Sequence, residues 1–193
     1  MLIGGVDYSL CGPSICIYNG DEKSFSIDKC TFYFLTNIKK FATYFGRNII
    51  GENFVDFNHE IERYQSISDW GVEVLMGCEQ VAIEGYAYSA LSNRIFQIAE
   101  NTGLLKYKLF QRGIPVTVIP PTEVKKFATG KGNADKMSMY SFFEAETKLD
   151  LLNLFYDADK RPKDISNPVS DIVDSYFICK HLFNKINEAN DLL

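Results

Sequence analysis

The sequence predicts an α/β fold built on a mixed β-sheet. Three observations carry that prediction. The first 35 residues hold three strand-like stretches joined by short turns, the pattern of an antiparallel meander. The remainder alternates helix, strand, helix, strand and then helices, an order that lays strands side by side through helical crossovers. Two of the apolar strands, one in the meander and one after a crossover, each end in a carboxylate.

Residues 2–8 (Leu-Ile-Gly-Gly-Val-Asp-Tyr) form an apolar run closed by Asp7. Turn-type residues follow at 9–13, and 14–18 is apolar again, so one buried strand enters a second by a tight connection. Asn19-Gly20-Asp21 is a hairpin turn into a third strand within 24–35. Residues 36–66 lack a clear period and are expected to be an irregular insertion with its own apolar cluster. Lys39, Lys40 and Arg47 among Phe41, Tyr44 and Phe45 would also suit a nucleic-acid surface. Ile67, Trp70, Val74 and Leu75 at near-helical spacing predict a helix over 67–78. Residues 80–83 predict a strand that ends on Glu84, and Gly85 opens the backbone beside it.

A long helix is predicted over 91–110, with Ile95, Ile98, Leu105 and Leu109 on its apolar side and Gly113 as its stop. A strand at 114–119 follows. Pro120-Pro121-Thr122 ends it and opens a short helix through Phe127, and 134–146 is helical again. Residues 149–156 are apolar without a deciding period, and 157–166 read as a polar loop. Asn167 as N-cap and Pro168 at the first helical position open the last helix. On that frame Asp171 and Asp174 lie three apart and point to one side.

The 193 residues suit one domain, 1–193, with the insertion at about 36–66; neither repeat nor linker divides them. Hydrophobic residues make up 46% and charged residues 23%, which excludes a disordered chain. The net charge of -5 argues mildly against a nucleic-acid protein, although segregated charges weaken that inference. Cys11, Cys16, Cys30, Cys78 and Cys179 include no C-x-x-C pair, and His59 and His181 are the sole histidines, so a zinc site is not expected. The odd cysteine count suits reduced thiols in a cytoplasm. No signal peptide and no stretch of 18 apolar residues is expected.

The chemistry lies in four carboxylates: Asp7, Glu84, Asp171 and Asp174. If the last helix packs on the first strand, all four converge. Like charges at that spacing repel, and burial adds to the cost. Divalent cations remove the repulsion, and oxygen-only ligands suit Mg²⁺ or Mn²⁺. Two such ions can activate a water for phosphodiester cleavage. Each residue alone has a structural explanation: acidic residues favour a helix N-terminus, and Asp7 could be a turn former.

Asp at the end of the first strand, Glu at the end of the fourth and Asp171-Ile-Val-Asp174-Ser175 on the last helix resemble the RuvC-type Holliday junction resolvases of the RNase H-like superfamily. The segment from Pro121 to Met137, with Lys125, Gly130-Lys131-Gly132 and Ala134-Asp135-Lys136, is the most specific match. The resemblance runs from Met1 to about His181. It implies a five-stranded mixed sheet flanked by helices, a homodimer, two Mg²⁺ or Mn²⁺ ions per site, and paired nicks in a four-way DNA junction. It carries the catalytic and metal-ligating roles to Asp7, Glu84, Asp171 and Asp174, and DNA contact to Lys125 and Lys136. Tyr86 and Tyr88 correspond to an aromatic that stacks on junction bases; they could equally be ordinary loop aromatics. Lys131, in the flexible turn, could meet a phosphate or sit on a solvated surface.

The long gap between Asp7 and Glu84, the extra piece at 149–166 and the acidic charge depart from the bacterial pattern. They suit a phage or viral version, acting in a host cytoplasm, that cuts branched DNA more broadly. Two other readings stay open. One is a junction-binding protein of the same fold that has weak or no activity. The other is a small actin-like phosphotransferase, for which the chain is short and lacks a second phosphate-binding hairpin.

Overall fold

A computed structural model describes residues 1–21, 23–86 and 95–191. Strand β1 (Leu2–Asp7) pairs antiparallel with β2 (Ser14–Asn19), which pairs antiparallel with β3 (Cys30–Thr36). This is the expected meander, although the segment before Cys30 is a single helical turn at Ile27–Lys29 rather than strand. Strand β5 (Gln80–Glu84) pairs parallel with β1, and β6 (Val116–Ile119) parallel with β5.

The sheet differs from expectation in its strand count. Among the described residues it has six strands, in the order β4-β3-β2-β1-β5-β6, instead of five. The additional strand, β4 (Ile49–Asn53), comes from the region read as irregular and lies parallel to β3. Ile49-Ile50-Gly51-Glu52-Asn53 has little strand signal of its own. It is held by the ladder to β3 and by the seat of Gly51, where a Cβ would overlap the carbonyl of Phe41 and the ring of Phe34. The same region also supplies the start of helix α1 (Glu60–Val74), which begins earlier than the predicted 67.

Helix α2 (Ile95–Gln111) ends before Gly113, whose φ of +70° is the left-handed stop expected there. Helices α3 (Pro121–Thr129), α4 (Lys136–Thr147), α5 (Leu151–Phe155) and α6 (Val169–Asn190) follow. The ambiguous 149–156 stretch is thus a short helix, N-capped by the Asp150 side chain. The sheet separates two cores. Val6, Ile15, Val81 and Ile83 face α1 and α2. Ile3, Cys16, Phe32, Phe34 and Ala82 face α3–α6.

Strand alternation decides which face each acid takes. Ile3 lies on the α6 side, so Gly5 and Asp7 do too; Ala82 lies there, so Glu84 does too. In the parallel ladder Val6 faces Ile83, so Asp7 and Glu84 come level one residue further on, at the strand ends. Gly5 then sets how near α6 can come. A Cβ on Gly5 would overlap the backbone of Cys179, so the missing side chain is what lets the helix lie on β1.

Candidate active site

From the contact at Cys179, α6 runs back toward Asp174, about 7.5 Å along a helix of ~1.5 Å rise. From Gly5 to Asp7 the strand advances about 6.6 Å at ~3.3 Å per residue. The two elements therefore deliver Asp174 alongside Asp7, with Asp171 about one turn beyond. Ser14, the ladder partner of Asp7, fixes this alignment through a buried hydroxyl contact of 3.1 Å to Ser175.

The four acids share one electrostatic environment. Burial, then Asp171, Asp174 and Glu84, raise the Asp7 carboxyl well above the usual range. Burial and Asp174 push Glu84 up to about 7. Burial and Asp174 push Asp171 up to about 7, and burial raises Asp174 to about 6. Lys136 opposes the rise at Asp7, Asp171 and Asp174, and Lys125 opposes it at Glu84 and Asp174. Five separate elements thus meet here: β1, β5 and α6 bring the acids, and α3 and α4 bring the lysines. The α4 N-cap helps to aim Lys136: the Asp135 side chain accepts from the Ser138 amide at 2.8 Å.

Asp171 is 6% exposed and its two oxygens differ. The Ser170 hydroxyl lies 3.0 Å from Oδ1, and Lys136 Nζ donates to that hydroxyl at 3.3 Å. Oδ2 is buried without a hydrogen-bond partner. An anionic oxygen left in that state is costly unless something positive meets it. Gly12 closes over it: a Cβ there would stand 2.6 Å from Oδ2 and 2.5 Å from Asn167 Nδ2. With the side chains as they stand, no three His, Cys, Asp or Glu groups among the described residues close tightly enough to hold one ion. The donor set is nevertheless one that fits a hard divalent cation: carboxylate oxygens only, an orphaned buried oxygen among them, and repulsion that a cation would remove.

The last helix starts one residue later than expected. Pro168, with helical backbone angles, takes the N-cap position, and Asn167 lies outside it. The Asn167 Oδ1 atom faces the Ser170 hydroxyl at 3.2 Å instead of capping a backbone N–H. Ser170 is the residue that the sequence did not single out, and Asn167 was expected only as a cap. Their signal was present in the spacing, since Asn167 and Ser170 are three apart and Ser170 adjoins Asp171.

A pocket of about 160 Å³ opens beside Asp7 and Glu84, with Ser9, Tyr86, Ile98 and Thr102 also on its walls. Tyr86 is therefore brought to the carboxylates, and Lys125 and Lys136 are too. Lys131 is not among the charges that act on them. It lines a separate pocket of about 330 Å³ with Asn133, Asp135, Ser138 and Phe142. Tyr88 lies outside the described residues. The five cysteines are free thiols, four of them buried.

The raised carboxyls have a consequence for stability without divalent ions. Below about pH 4 these groups are protonated in both folded and unfolded chains. Between about pH 4 and 7 the unfolded chain loses these protons while the folded chain keeps them. The folded state then binds more protons, and stability falls as pH rises through that window. Thermal unfolding in a chelator is expected to show a lower Tm at pH 7.5 than at pH 5. The double variant Asp7→Asn, Glu84→Gln should show a flatter trend, and an unchanged slope would separate these acids from the effect.

No family model matches the chain. A crossover junction endodeoxyribonuclease RuvC from Corynebacterium diphtheriae is 33% identical over 79 residues, 41% of this chain and 47% of that relative. The matched stretch thus spans about half the length of the relative. The Thermus thermophilus RuvC structure superposes with a TM-score of 0.62 at 18% identity, covering 96% of both chains. The Fowlpox virus resolvase, solved with substrate Holliday junction DNA, gives a TM-score of 0.53 at 16% identity, covering 96% of this chain and 99% of that one. With β1 central, β5 beside it and α6 across both, the chain has the RNase H-like α/β fold of the RuvC-type Holliday junction resolvases.

Proposed function

We propose that this protein is a metal-dependent, structure-selective endonuclease that nicks four-way DNA junctions, acting as a homodimer. The observation that carries the reading is the electrostatic convergence of Asp7, Glu84, Asp171 and Asp174 under two lysines. The fold supports it, because the same architecture serves the bacterial and viral resolvases. The four carboxylates would hold Mg²⁺ or Mn²⁺, two ions per site, which when bound would activate a water and stabilise the leaving oxygen of a phosphodiester.

The remaining work falls to this chain's own side chains. Lys136 and Lys125 offset the negative charge of the site and meet phosphates of the strand to be cut. Ser170 holds Asp171 Oδ1, which leaves Oδ2 as the free donor. Tyr86, beside the carboxylate pocket, offers a face to a base splayed from the junction, a stacking interaction worth about 1–3 kcal/mol. Tyr88 is assigned the same role from its position in the sequence.

The test is cleavage of a synthetic four-way junction, a Y-fork and a linear duplex, each with Mg²⁺, Mn²⁺ or EDTA. Symmetric nicks in the junction that EDTA abolishes support the reading, and nicks in the Y-fork as well extend it to branched DNA generally. Tight junction binding without cleavage under either metal would overturn it and leave a junction-binding protein.

The two lysines of the Gly-rich region should behave differently. Lys136→Ala is expected to slow single-turnover cleavage by about tenfold or more, or ~1.4 kcal/mol in the barrier. Lys131→Ala should leave that rate within about threefold, roughly 0.7 kcal/mol, and act only on junction affinity. Equal losses of rate would contradict the placement of Lys131 away from the carboxylates.

A further inference from the structure

Arg63 reaches the backbone beside the acids. It lies near the start of α1, in the part of that helix that comes from the region read as irregular. Its side chain is 19% exposed. Nη2 donates to the Leu10 carbonyl at 2.7 Å, whereas Nη1 stands 3.7 Å from the exposed Glu60. The guanidinium carbon lies 5.1 Å from the centre of the Phe57 ring, and Nε is buried with no hydrogen-bond partner among the described residues. Burying a guanidinium in this way is costly, and an open ion pair as long as that with Glu60 returns little. The charge-assisted bond to Leu10 is the strong interaction that this side chain makes.

That bond fixes the connection between β1 and β2, residues 8–13, which crosses the sheet edge beside the acids. On one side of the sheet Tyr8 and Leu10 enter the core under α1 and α2, and the Tyr8 hydroxyl donates to Asn101 Oδ1 at 3.4 Å. On the other side Gly12 stands so close to Asp171 Oδ2 and Asn167 Nδ2 that a Cβ would collide with both. The Ser9 hydroxyl joins the two halves by accepting the Gly12 amide at 3.0 Å. Ser9 also lines the pocket that holds Asp7 and Glu84. The carbonyl that Arg63 grips therefore belongs to a turn that touches the acids at both of its ends.

We propose that Arg63 is a positioning residue for the candidate site. By holding the Leu10 carbonyl it sets the Ser9–Gly12 turn against Asp171, and so keeps Oδ2 presented, together with Asp7 and Glu84, to a divalent ion. The inference rests on the reading of these acids as holders of such an ion. It also gives the additional region before the middle of α1 a task, since the helix that starts there braces the site from the far side of the sheet. With the turn free to move, ordering it would fall to the ion, and affinity for the ion would drop.

The experiment is titration of the DNA-free protein with Mn²⁺, the free ion being followed by its paramagnetic resonance, with folding checked by circular dichroism at the same temperature. The native protein should bind Mn²⁺, and Asp7→Asn should lose most of that binding, which assigns the ion to the site. Arg63→Met keeps the apolar stem and removes the donors. It should weaken Mn²⁺ binding by about tenfold, the scale of groups that orient a metal ligand from outside. Arg63→Lys retains a donor and should recover most of the loss. Ser9→Ala should also weaken binding, and the double variant Arg63→Met, Ser9→Ala should lose less than the product of the two single losses, because both act through one turn. Junction affinity in EDTA should stay within about threefold, since Lys125 and Lys136 are untouched.

Unchanged Mn²⁺ binding in folded Arg63→Met, an Arg63→Lys variant as weak as Arg63→Met, or losses that multiply in the double variant would overturn the inference and leave the acids as the ion site. Ser9→Ala removes no buried charge, so it tests the turn even if Arg63→Met fails to fold, and unchanged binding there would likewise overturn the inference. A native protein that binds no Mn²⁺ would overturn the ion-holding reading and this inference together.

Discussion

Asp7→Asn is expected to abolish junction nicking while junction binding survives. Asparagine keeps the shape of the side chain and removes its charge. Burial and the charges of Asp171, Asp174 and Glu84 all raise the Asp7 carboxyl, so its charge is felt within the whole group. Loss of one anionic donor from a site of four should lower the single-turnover rate by about 10³-fold or more, a barrier increase of ~4 kcal/mol. Junction affinity should change little, because the lysines and the rest of the surface remain, and loss of a negative charge does not oppose phosphate.

The same variant makes a second, opposite prediction that separates function from folding. Removing Asp7's charge relieves repulsion on Asp171, Asp174 and Glu84. Without divalent ions and near neutral pH, Asp7→Asn should therefore unfold at a higher temperature than the native protein. An inactive variant with a raised Tm fits a functional site that is costly to the fold. Full nicking by Asp7→Asn would remove this residue from the mechanism.

Gly5→Ala should give a large loss of stability for the addition of a single methyl group. The new carbon would meet the backbone of Cys179, which cannot turn aside as a flexible side chain could. Helix α6 must then lift from β1, taking with it a core in which Tyr176 and Phe177 are each 1% exposed. Overpacking of this kind costs about 1–3 kcal/mol and sometimes more. For a chain of this length that is a Tm decrease on the order of 2–12 °C. Lifting α6 also breaks the Ser14–Ser175 contact and moves Asp171 and Asp174 relative to Asp7. Cleavage should consequently fall even at temperatures where the variant stays folded. A variant with native Tm and native rate would show that α6 does not press on β1 at this position.

The sequence by itself determined much of this protein. Its first 35 residues dictated a meander, because alternating β-branched and aromatic residues bounded by Gly, Asn and Pro suit paired strands and tight turns. The two strands ending in Asp7 and Glu84 were legible as parallel neighbours from the crossover between them. Asp171 and Asp174 were legible as one helical side from their spacing of three. Local chemistry suffices for such features, since periodicity and turn residues act within a few positions along the chain.

Only the tertiary structure decided the rest. Strand β4 owes its existence to a ladder with β3 and to the gap that Gly51 leaves for Phe41 and Phe34, neither of which a short Ile-Ile-Gly segment announces. The start of α6 lies one residue further on, with the Asn167 side chain facing Ser170 instead of capping the helix. Lys136 was separated from Lys131, five residues earlier, because Lys136 acts on the buried acids while Lys131 lines a different pocket. Above all, it is the bare backbone of Gly5 that admits α6 to the sheet and brings acids more than 160 positions apart in the chain into one field. That contact is long-range and steric, so no pattern within a single stretch of residues could specify it.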